Sequence, residues 1–451
     1  MSTPITLTVG DMTLTYNTIN IGIDHGMIFQ ERDRKRRRHN SINYEYNAQH
    51  PDEDIEQSEL CFCRTLRSMV TRLELLGYTL NAIREEYDQI VVQDTERQAD
   101  YDASEHEESA TDGENSTNAS ETLEFDEFMC IIHDYAVGDL SDDYVKDYDQ
   151  KFRTSFDGFA TDQKILRIPE GDQWRDRGGY SARSHFGNLL GFLHPYSILR
   201  VLAENPANLD LEVVWDYGNF VDAGWAKNED FVAGARRKDT YLIATEGSSD
   251  THILKRAITL MQPDIEDFFR FIDLEERHPF SGTGNLAKFA EGLVKIDVQN
   301  RVIFLFDNDA VGCETHRSLQ RYTFPANMRA MVLPNIEEFC DFPTRGPDGI
   351  KSSNINGCAA AIECYLDLRL KDRKPAQVTW TNYMADMDVY QGSLDFKDSY
   401  SKEFYKASAE SVASGDYDVS KLCEVLNALI KECTAMAEQM LPKAHRSERS
   451  L

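Results

Sequence analysis

Two strand ends in this sequence carry carboxylates at spacings that suit phosphoryl-transfer chemistry. The first is Leu242-Ile243-Ala244-Thr245-Glu246-Gly247-Ser248-Ser249-Asp250, an apolar run that ends in Glu, turns at Gly and reaches Asp four residues on. The second is Val302-Ile303-Phe304-Leu305-Phe306-Asp307-Asn308-Asp309-Ala310-Val311-Gly312, an apolar run that ends in Asp-x-Asp with Gly shortly after. Carboxylates gathered at adjoining strand ends repel one another unless a cation neutralises them, and hard oxygen donors select Mg²⁺ or Mn²⁺. Such an ion holds a phosphodiester, stabilises charge on its oxygens and lowers the pKa of an attacking water.

The elements that must position these groups follow from the apolar pattern. From Lys238 the chain alternates short apolar runs with helical segments: TYLIATE, THILKRAITLMQ, DFFRFIDLE, LAKFAEGLVKI, RVIFLFD, CETHRSLQRY, MRAMVLP and NGCAAAIECYLDL. That order reads β-α-β-α-β-α-β-α. Runs without polar alternation are strands of a parallel sheet buried on both faces, so residues 238–370 form an α/β domain. In such sheets the loops at the carboxyl ends of strands converge on a ligand crevice, where both acidic motifs would lie.

Before this domain the signals are mixed. Ile5, Leu7, Val9, Met12, Leu14 and Tyr16 alternate around Gly10-Asp11, which reads as a β-hairpin. From Cys61 to Tyr87 the spacing of Leu66, Met69, Val70, Leu73, Leu76, Leu80 and Ile83 predicts two helices joined near Gly77, completing residues 1–84. Residues 85–120 are Asp-, Glu-, Ser- and Thr-rich and read as a disordered acidic insertion. Residues 121–237 read as α-rich, with His133, His185 and His194 at no metal-ligand spacing, and 371–451 as a mostly helical extension.

Composition bounds the function. At 451 residues, with 41% hydrophobic and 10% aromatic content, the chain can fund more than one core. A formal net charge of −30 argues against simple duplex binding through Lys and Arg. The charge is concentrated, however: from Glu85 to Glu127 sixteen acidic residues face one Arg, which is half the total. With no long apolar run and no basic-then-apolar start, the expectation is a soluble cytoplasmic protein with no membrane partner. Nine cysteines without regular spacing are expected to be reduced.

Taken alone, each acidic motif has a plainer meaning. Asp250 can simply cap a helix, Glu246 can be one more surface carboxylate, and Asp-x-Asp also opens the dehalogenase-type phosphatases, where Asp307 would be the nucleophile. The combination is rarer. Glu246-Gly247 followed by Asp307-x-Asp309-x-x-Gly312 resembles the Toprim domain of topoisomerases, bacterial primases and OLD-family nucleases. That resemblance implies a Rossmann-like parallel sheet flanked by helices, preceded by a mixed α+β N-terminal domain. It assigns metal binding or acid-base duty to Glu246, metal binding to Asp307 and Asp309, and a second acidic position of OLD-like versions to Asp250.

More closely, the segments LTVGDMTL, MIFQERDR, RLELLGYTLNAIREEYD, LIATEGSSDTHILKRAI, PTRGPDG and NGCAAAIECYL resemble, in the same order, the bacterial HEPN/Toprim-associated proteins. This implies a Toprim catalytic domain behind a family-specific N-terminal domain, with a role in defence against foreign nucleic acid. The GxxxxGK[ST] phosphate loop of OLD nucleases and the zinc-ribbon cysteines of primases are missing, so hydrolysis is favoured over primer synthesis. Toprim nucleases often use a downstream cation to hold the scissile phosphate, and Arg345 or Lys351 are the candidates. HEPN ribonucleases carry Arg-x(4–6)-His, a spacing met by Arg34 and His39. The same run, Arg34, Lys35, Arg36, Arg37 and Arg38, also reads as a phosphate-binding patch.

The resulting expectation is a nuclease dependent on Mg²⁺ or Mn²⁺, DNA favoured, with Glu246, Asp307 and Asp309 catalytic and Asp250 a further metal ligand. A homo-oligomer or a defence partner protein is possible under this reading. The alternatives are a non-catalytic Toprim-like binding component, a HEPN-type ribonuclease and a dehalogenase-type phosphatase.

Overall fold

The computed structural model describes residues 4–18, 20–38, 42–50, 55–108, 122–145, 164–169, 171, 179–272, 282–369, 374–385 and 387–441. The chain divides into two compact units, residues 1–234 with 441–451, and residues 235–440. Among the described residues no helix is long and apolar enough to cross a membrane.

The first unit is built on an antiparallel sheet of β1 (Ile5–Val9), β2 (Met12–Asn17), β3 (Arg34–Arg36), β4 (Leu60–Thr65) and β5 (Glu212–Asp216), in the order β2-β1-β5-β4-β3. Gly10 and Asp11 turn the β1-β2 hairpin with φ of 52° and 64°, the left-handed pair that a two-residue hairpin loop requires. Two expectations are corrected here. Leu60–Thr65 is a strand, followed by a 3-10 turn at Leu66–Met69 and an α-helix only from Val70, because the apolar residues of LCFCRT pack into the sheet through buried Phe62. The region after residue 121 is not simply α-rich, since Glu212–Asp216 supplies the central strand, with Trp215 stacked against Phe62.

The acidic segment is also corrected. A single helix runs from Leu80 to Glu108, so residues 85–108 are helical, while 109–120 lie outside the described residues. The stretch has no Gly or Pro and many Glu, Gln, Asp, Arg and Ala residues that tolerate or favour helix. Its start is anchored by buried Ile83 and Tyr87, the Tyr87 hydroxyl donating to the Leu123 carbonyl at 2.8 Å.

The second unit holds four parallel strands, β6 (Tyr241–Thr245), β7 (Phe269–Phe271), β8 (Arg301–Phe306) and β10 (Met328–Val332), in the order β10-β8-β6-β7. Alternation along the strands gives the sheet two apolar faces. Ala244, Val302, Phe304 and Phe306 pack with Leu286 and Ala290 of the helix Thr283–Lys295 and with Leu319 of the helix Ala310–Leu319. On the other face Tyr241 donates to the Cys433 carbonyl at 3.0 Å, within the helix Ser420–Met440.

The short β9 (Asn308–Asp309) pairs with β13 (Ala359–Ala360). A second sheet combines β11 (Phe342–Gly346), β12 (Gly349–Ser353), β14 (Val378–Met384) and β15 (Val389–Leu394) in the order β12-β11-β14-β15. NGCAAAIECYLDL, expected as helix, is instead β13 followed by one short turn of helix, Ile362–Tyr365. The described part of residues 371–451 is mostly helical, through Lys397–Lys406, Ala409–Ala413 and Ser420–Met440, but it opens with the β14-β15 hairpin, which completes the second sheet within the same compact unit.

Candidate functional site

The first strand of the parallel sheet, β6, lies between β7 on one side and β8 on the other. The connection leaving β6 runs outward to β7 and the one leaving β8 runs the other way to β10, so the gap beyond the carboxyl ends of β6 and β8 is the switch point where such sheets bind ligands. Glu246 follows β6, and Asp307 follows β8.

The backbone N–H of Asp307 donates to Glu246 Oε1 at 3.1 Å, while the Thr283 hydroxyl donates to Oε2. One carboxylate thus joins two strand ends and the start of the helix Thr283–Lys295. Asp250 stands in the first turn of the helix Ser248–Met261 and accepts from Gly247 N at 2.9 Å. Asp250 is not itself the N-cap that the plainer reading expected: Gly247 holds that position, and Asp250 reaches back to it from within the first turn while its charge is felt by the other acids. Asp307 Oδ1 accepts from Ile362 N at 3.1 Å. Asp309 Oδ1 accepts from Gly312 N at 2.7 Å and caps the helix Ala310–Leu319, and its Oδ2 accepts from Gln391 Nε2 at 2.5 Å. Gly312 has a steric reason to be Gly: a Cβ there would lie 2.2 Å from the Asp307 carbonyl oxygen.

Asn308, between the two aspartates, alternates away from them. Its amide donates to Asn335 Oδ1 at 2.9 Å and its Oδ1 accepts from Gly357 N at 2.8 Å, tying down the loops that carry β13.

A fifth carboxylate, Glu363, escaped sequence reasoning. It is buried on the turn Ile362–Tyr365 and accepts the Ser249 hydroxyl at 2.7 Å. The available signal was a Glu inside an otherwise apolar run, IECYL, a place where a charge is rarely kept without a partner.

The electrostatics record the crowding. Burial, followed by repulsion from Asp250, Glu246, Asp309 and Glu363, pushes Asp307 well above the usual carboxylate range. Burial and then Glu363 raise Asp250 to about 7, although Gly247 N–H and Lys397 oppose the shift. Burial raises Glu246 to about 6 against the Thr283 and Asp307 hydrogen bonds. Among the described residues no Lys or Arg forms an ion pair with any of the five acids, and Lys397, exposed at the start of the helix Lys397–Lys406, acts on Asp250 through space. Nor do any three acidic, His or Cys side chains among the described residues already surround one point at ligand distance. Four carboxylates each have an oxygen drawn toward a backbone N–H, which spreads the set.

The sequence profile of the family described as HEPN/Toprim N-terminal domain 1 matches residues 1–239, more than half of the chain. The chain belongs to the HEPN/Toprim N-terminal domain 1 family. Membership carries a nuclease-related or nucleic-acid-related role. The match ends at Asp239, just ahead of β6, so the acidic centre lies beyond the family-defining segment. No curated protein and no solved structure matches the chain.

In this HEPN/Toprim protein the basic run of the first unit is handled quite differently from the acids. Arg34 reaches Glu31, donates to the Phe231 carbonyl at 2.6 Å and stacks 4.5 Å from the centre of the Phe62 ring. Lys35 pairs with Glu212 at 3.1 Å, Arg36 with Glu56 and Glu59 at 2.6 and 2.8 Å, and Arg37 with Asp11 and Glu212 at 3.3 and 3.2 Å. Arg38 lies 4.2 Å over the Tyr44 ring. His39, the partner required by the Arg-x(4–6)-His reading, lies outside the described residues. Of the two expected phosphate holders, Arg345 donates to Thr379 and pairs with Asp395 at 3.2 Å, and Lys351 pairs with Asp348 at 3.3 Å on the β11-β12 hairpin.

Proposed function

We propose that the second unit is a Toprim-type catalytic domain that hydrolyses phosphodiester bonds in nucleic acid with Mg²⁺ or Mn²⁺, DNA favoured, in defence against foreign nucleic acid. The observation that carries this reading is the gathering of Glu246, Asp250, Asp307, Asp309 and Glu363 at the switch point with no Lys or Arg ion-paired to them among the described residues. The donor set suits such an ion: all oxygen, uncompensated in charge, and with three members raised by burial and mutual repulsion. A bound ion would supply Lewis acidity toward the phosphate and a more acidic water.

The chain's own groups then divide the work. Asp307 and Asp309, with Asp250 and Glu363, would hold the ion. Glu246, fixed by Asp307 N–H and the Thr283 hydroxyl, would bind metal or take the proton of the attacking water. Among the described residues Lys397, rather than Arg345 or Lys351, acts on Asp250 through space and would face the phosphate. Cleavage of plasmid, linear DNA and RNA by purified protein in Mg²⁺ or Mn²⁺, compared with Asp307→Asn, tests the proposal. Metal-dependent cutting that the variant loses supports it; intact substrates, or equal cutting by the variant, refute it.

One observation favours a second reading, a non-catalytic Toprim-like binding component. Among the described residues no three ligands stand preassembled, and each of four acids already serves a backbone N–H. Nucleic-acid binding that survives loss of the acids, with no detectable metal binding, would select it.

A further inference from the structure

Asp309 has both carboxylate oxygens held by neutral donors. Oδ1 accepts from Gly312 N at 2.7 Å, within the start of its own helix. Oδ2 accepts from the side-chain amide of Gln391 at 2.5 Å, a residue of β15 that stands 82 positions further along the chain. The other end of the same amide is also engaged: Gln391 Oε1 accepts from Ala310 N at 2.9 Å and from Val311 N at 3.3 Å. One half-buried side chain thus closes on both the aspartate and the first turn of the helix that follows it.

The hairpin is shaped to deliver that side chain. Trp380 pairs with Gly392 but Asn382 with Gln391, so Thr381 is an extra residue on β14, and its hydroxyl donates to the Gln391 carbonyl at 3.0 Å. Bulges of this kind re-aim a side chain and recur beside functional sites. Gly392 then lets β15 come close to its neighbours. A Cβ there would lie 2.6 Å from Val378 Cγ1 and 2.8 Å from Ala359 Cβ, and the Gly392 N–H donates to the Cys358 carbonyl at 3.1 Å. The adjoining β13 pairs with β9, where Ala359 stands opposite Asp309. The backbone of Asp309 is therefore located by β13 and its side chain by β15.

Capping alone does not account for this arrangement. A helix start near the surface can leave its N–H groups to water, and it does not require the donor end of an amide to lie on a carboxylate. An Arg or Lys in the same place would orient Asp309 but would also offset the charge that draws a divalent ion. A neutral amide orients the carboxylate and leaves its charge intact.

We propose that Gln391 is a positioning residue of the metal centre, whose amide fixes the orientation in which Asp309 meets a divalent ion. The inference rests on the metal-dependent reading above and adds to it a residue that acts through Asp309. It also makes the β14-β15 hairpin part of the centre, although the hairpin supplies none of the five acids.

The test titrates Mn²⁺ into the full chain by calorimetry for the parent, Gln391→Leu and Gln391→Asn, with metal-free melting followed by circular dichroism and cleavage measured across Mn²⁺ concentrations. Gln391→Leu, of similar size but with neither donor nor acceptor, should weaken Mn²⁺ binding about ten-fold or more. Gln391→Asn keeps the amide one methylene short of Asp309 and should weaken binding too, so the answer does not depend on Leu being tolerated in the fold. The metal-free melting temperature should move by about 5 °C or less. The Mn²⁺ concentration needed for half-maximal cleavage should rise by the same factor as the Kd, with KM for the nucleic acid unchanged and most of kcat restored at saturating Mn²⁺. Saturable Mn²⁺ binding by the parent with the same Kd in both variants makes Gln391 a helix cap only, which overturns the inference and leaves the nuclease reading standing. A parent that neither binds Mn²⁺ saturably nor cuts nucleic acid overturns both.

Discussion

The basic run of the first unit and the acidic set of the second hold similar densities of charge and treat it in opposite ways. Arg34, Lys35, Arg36 and Arg37 are matched by Glu31, Glu212, Glu56, Glu59 and Asp11. Glu246, Asp250, Asp307, Asp309 and Glu363 meet only hydroxyls, amides and one another among the described residues. Charge satisfied by its own chain stabilises a fold, whereas charge left in mutual repulsion is retained at a stability cost and marks a place where something else must bind. The lesson is that a charge run in a sequence acquires meaning only from what stands opposite it.

The sharpest way to break this comparison is Asp307→Asn. The substitution keeps an oxygen to accept from Ile362 N but removes a buried charge. Metal-dependent cleavage should fall on the order of 10³-fold, while the metal-free melting temperature rises or holds. A large drop in melting temperature would mean that the acid is structural like the arginines. The reverse outcome is expected of Arg34→Ala, which strips hydrogen bonds to Tyr217, Asn228 and the Phe231 carbonyl together with the Phe62 stack. Urea unfolding should show a loss of about 2–3 kcal/mol, with nuclease activity of the surviving folded protein largely kept.

His25 offers a third contrast, a base buried neutral rather than paired. Burial lowers its pKa to about 3, and its ring nitrogens meet Thr15 and Tyr196, each at 3.2 Å. The unfolded chain binds the proton near pH 6.5 and the folded chain only near 3, so stability is full above 6.5 and is lost as pH falls between those values. Asp250, Glu246 and Asp307, raised by burial, act in the opposite sense as pH falls, so the His25 share is read as a difference: between pH 7 and pH 5 the parent should lose about 2 kcal/mol more than His25→Gln in denaturant titrations. The smallest effect belongs to Lys35→Ala. The Lys35–Glu212 pair is nearly half exposed on both sides and should be worth under about 0.5 kcal/mol by the same titration.

How much of this was legible in the sequence depended on how local each signal was. The strands β6 and β8 read directly because a strand buried on both faces must be apolar throughout, and Glu246, Asp307 and Asp309 read directly because they follow those strands. β4 and β5 did not, being no longer than β6 and β8 but defined by antiparallel partners far away in the chain. Glu363, Gln391 and Lys397 were missed for the same reason. The Asp307–Ile362 bond spans 55 residues and the Asp309–Gln391 bond 82, through segments with no periodicity of their own. The helix Leu80–Glu108 was hidden by a composition that resembles disorder yet contains no helix breaker.

The central claim is that the five carboxylates form one divalent-cation centre. Isothermal titration of Mn²⁺ into the full chain at physiological salt, beside Asp307→Asn, tests it most directly. The account predicts saturable binding that the variant loses or that weakens at least ten-fold. Absence of saturable binding in the parent, or identical isotherms for the two proteins, would contradict it.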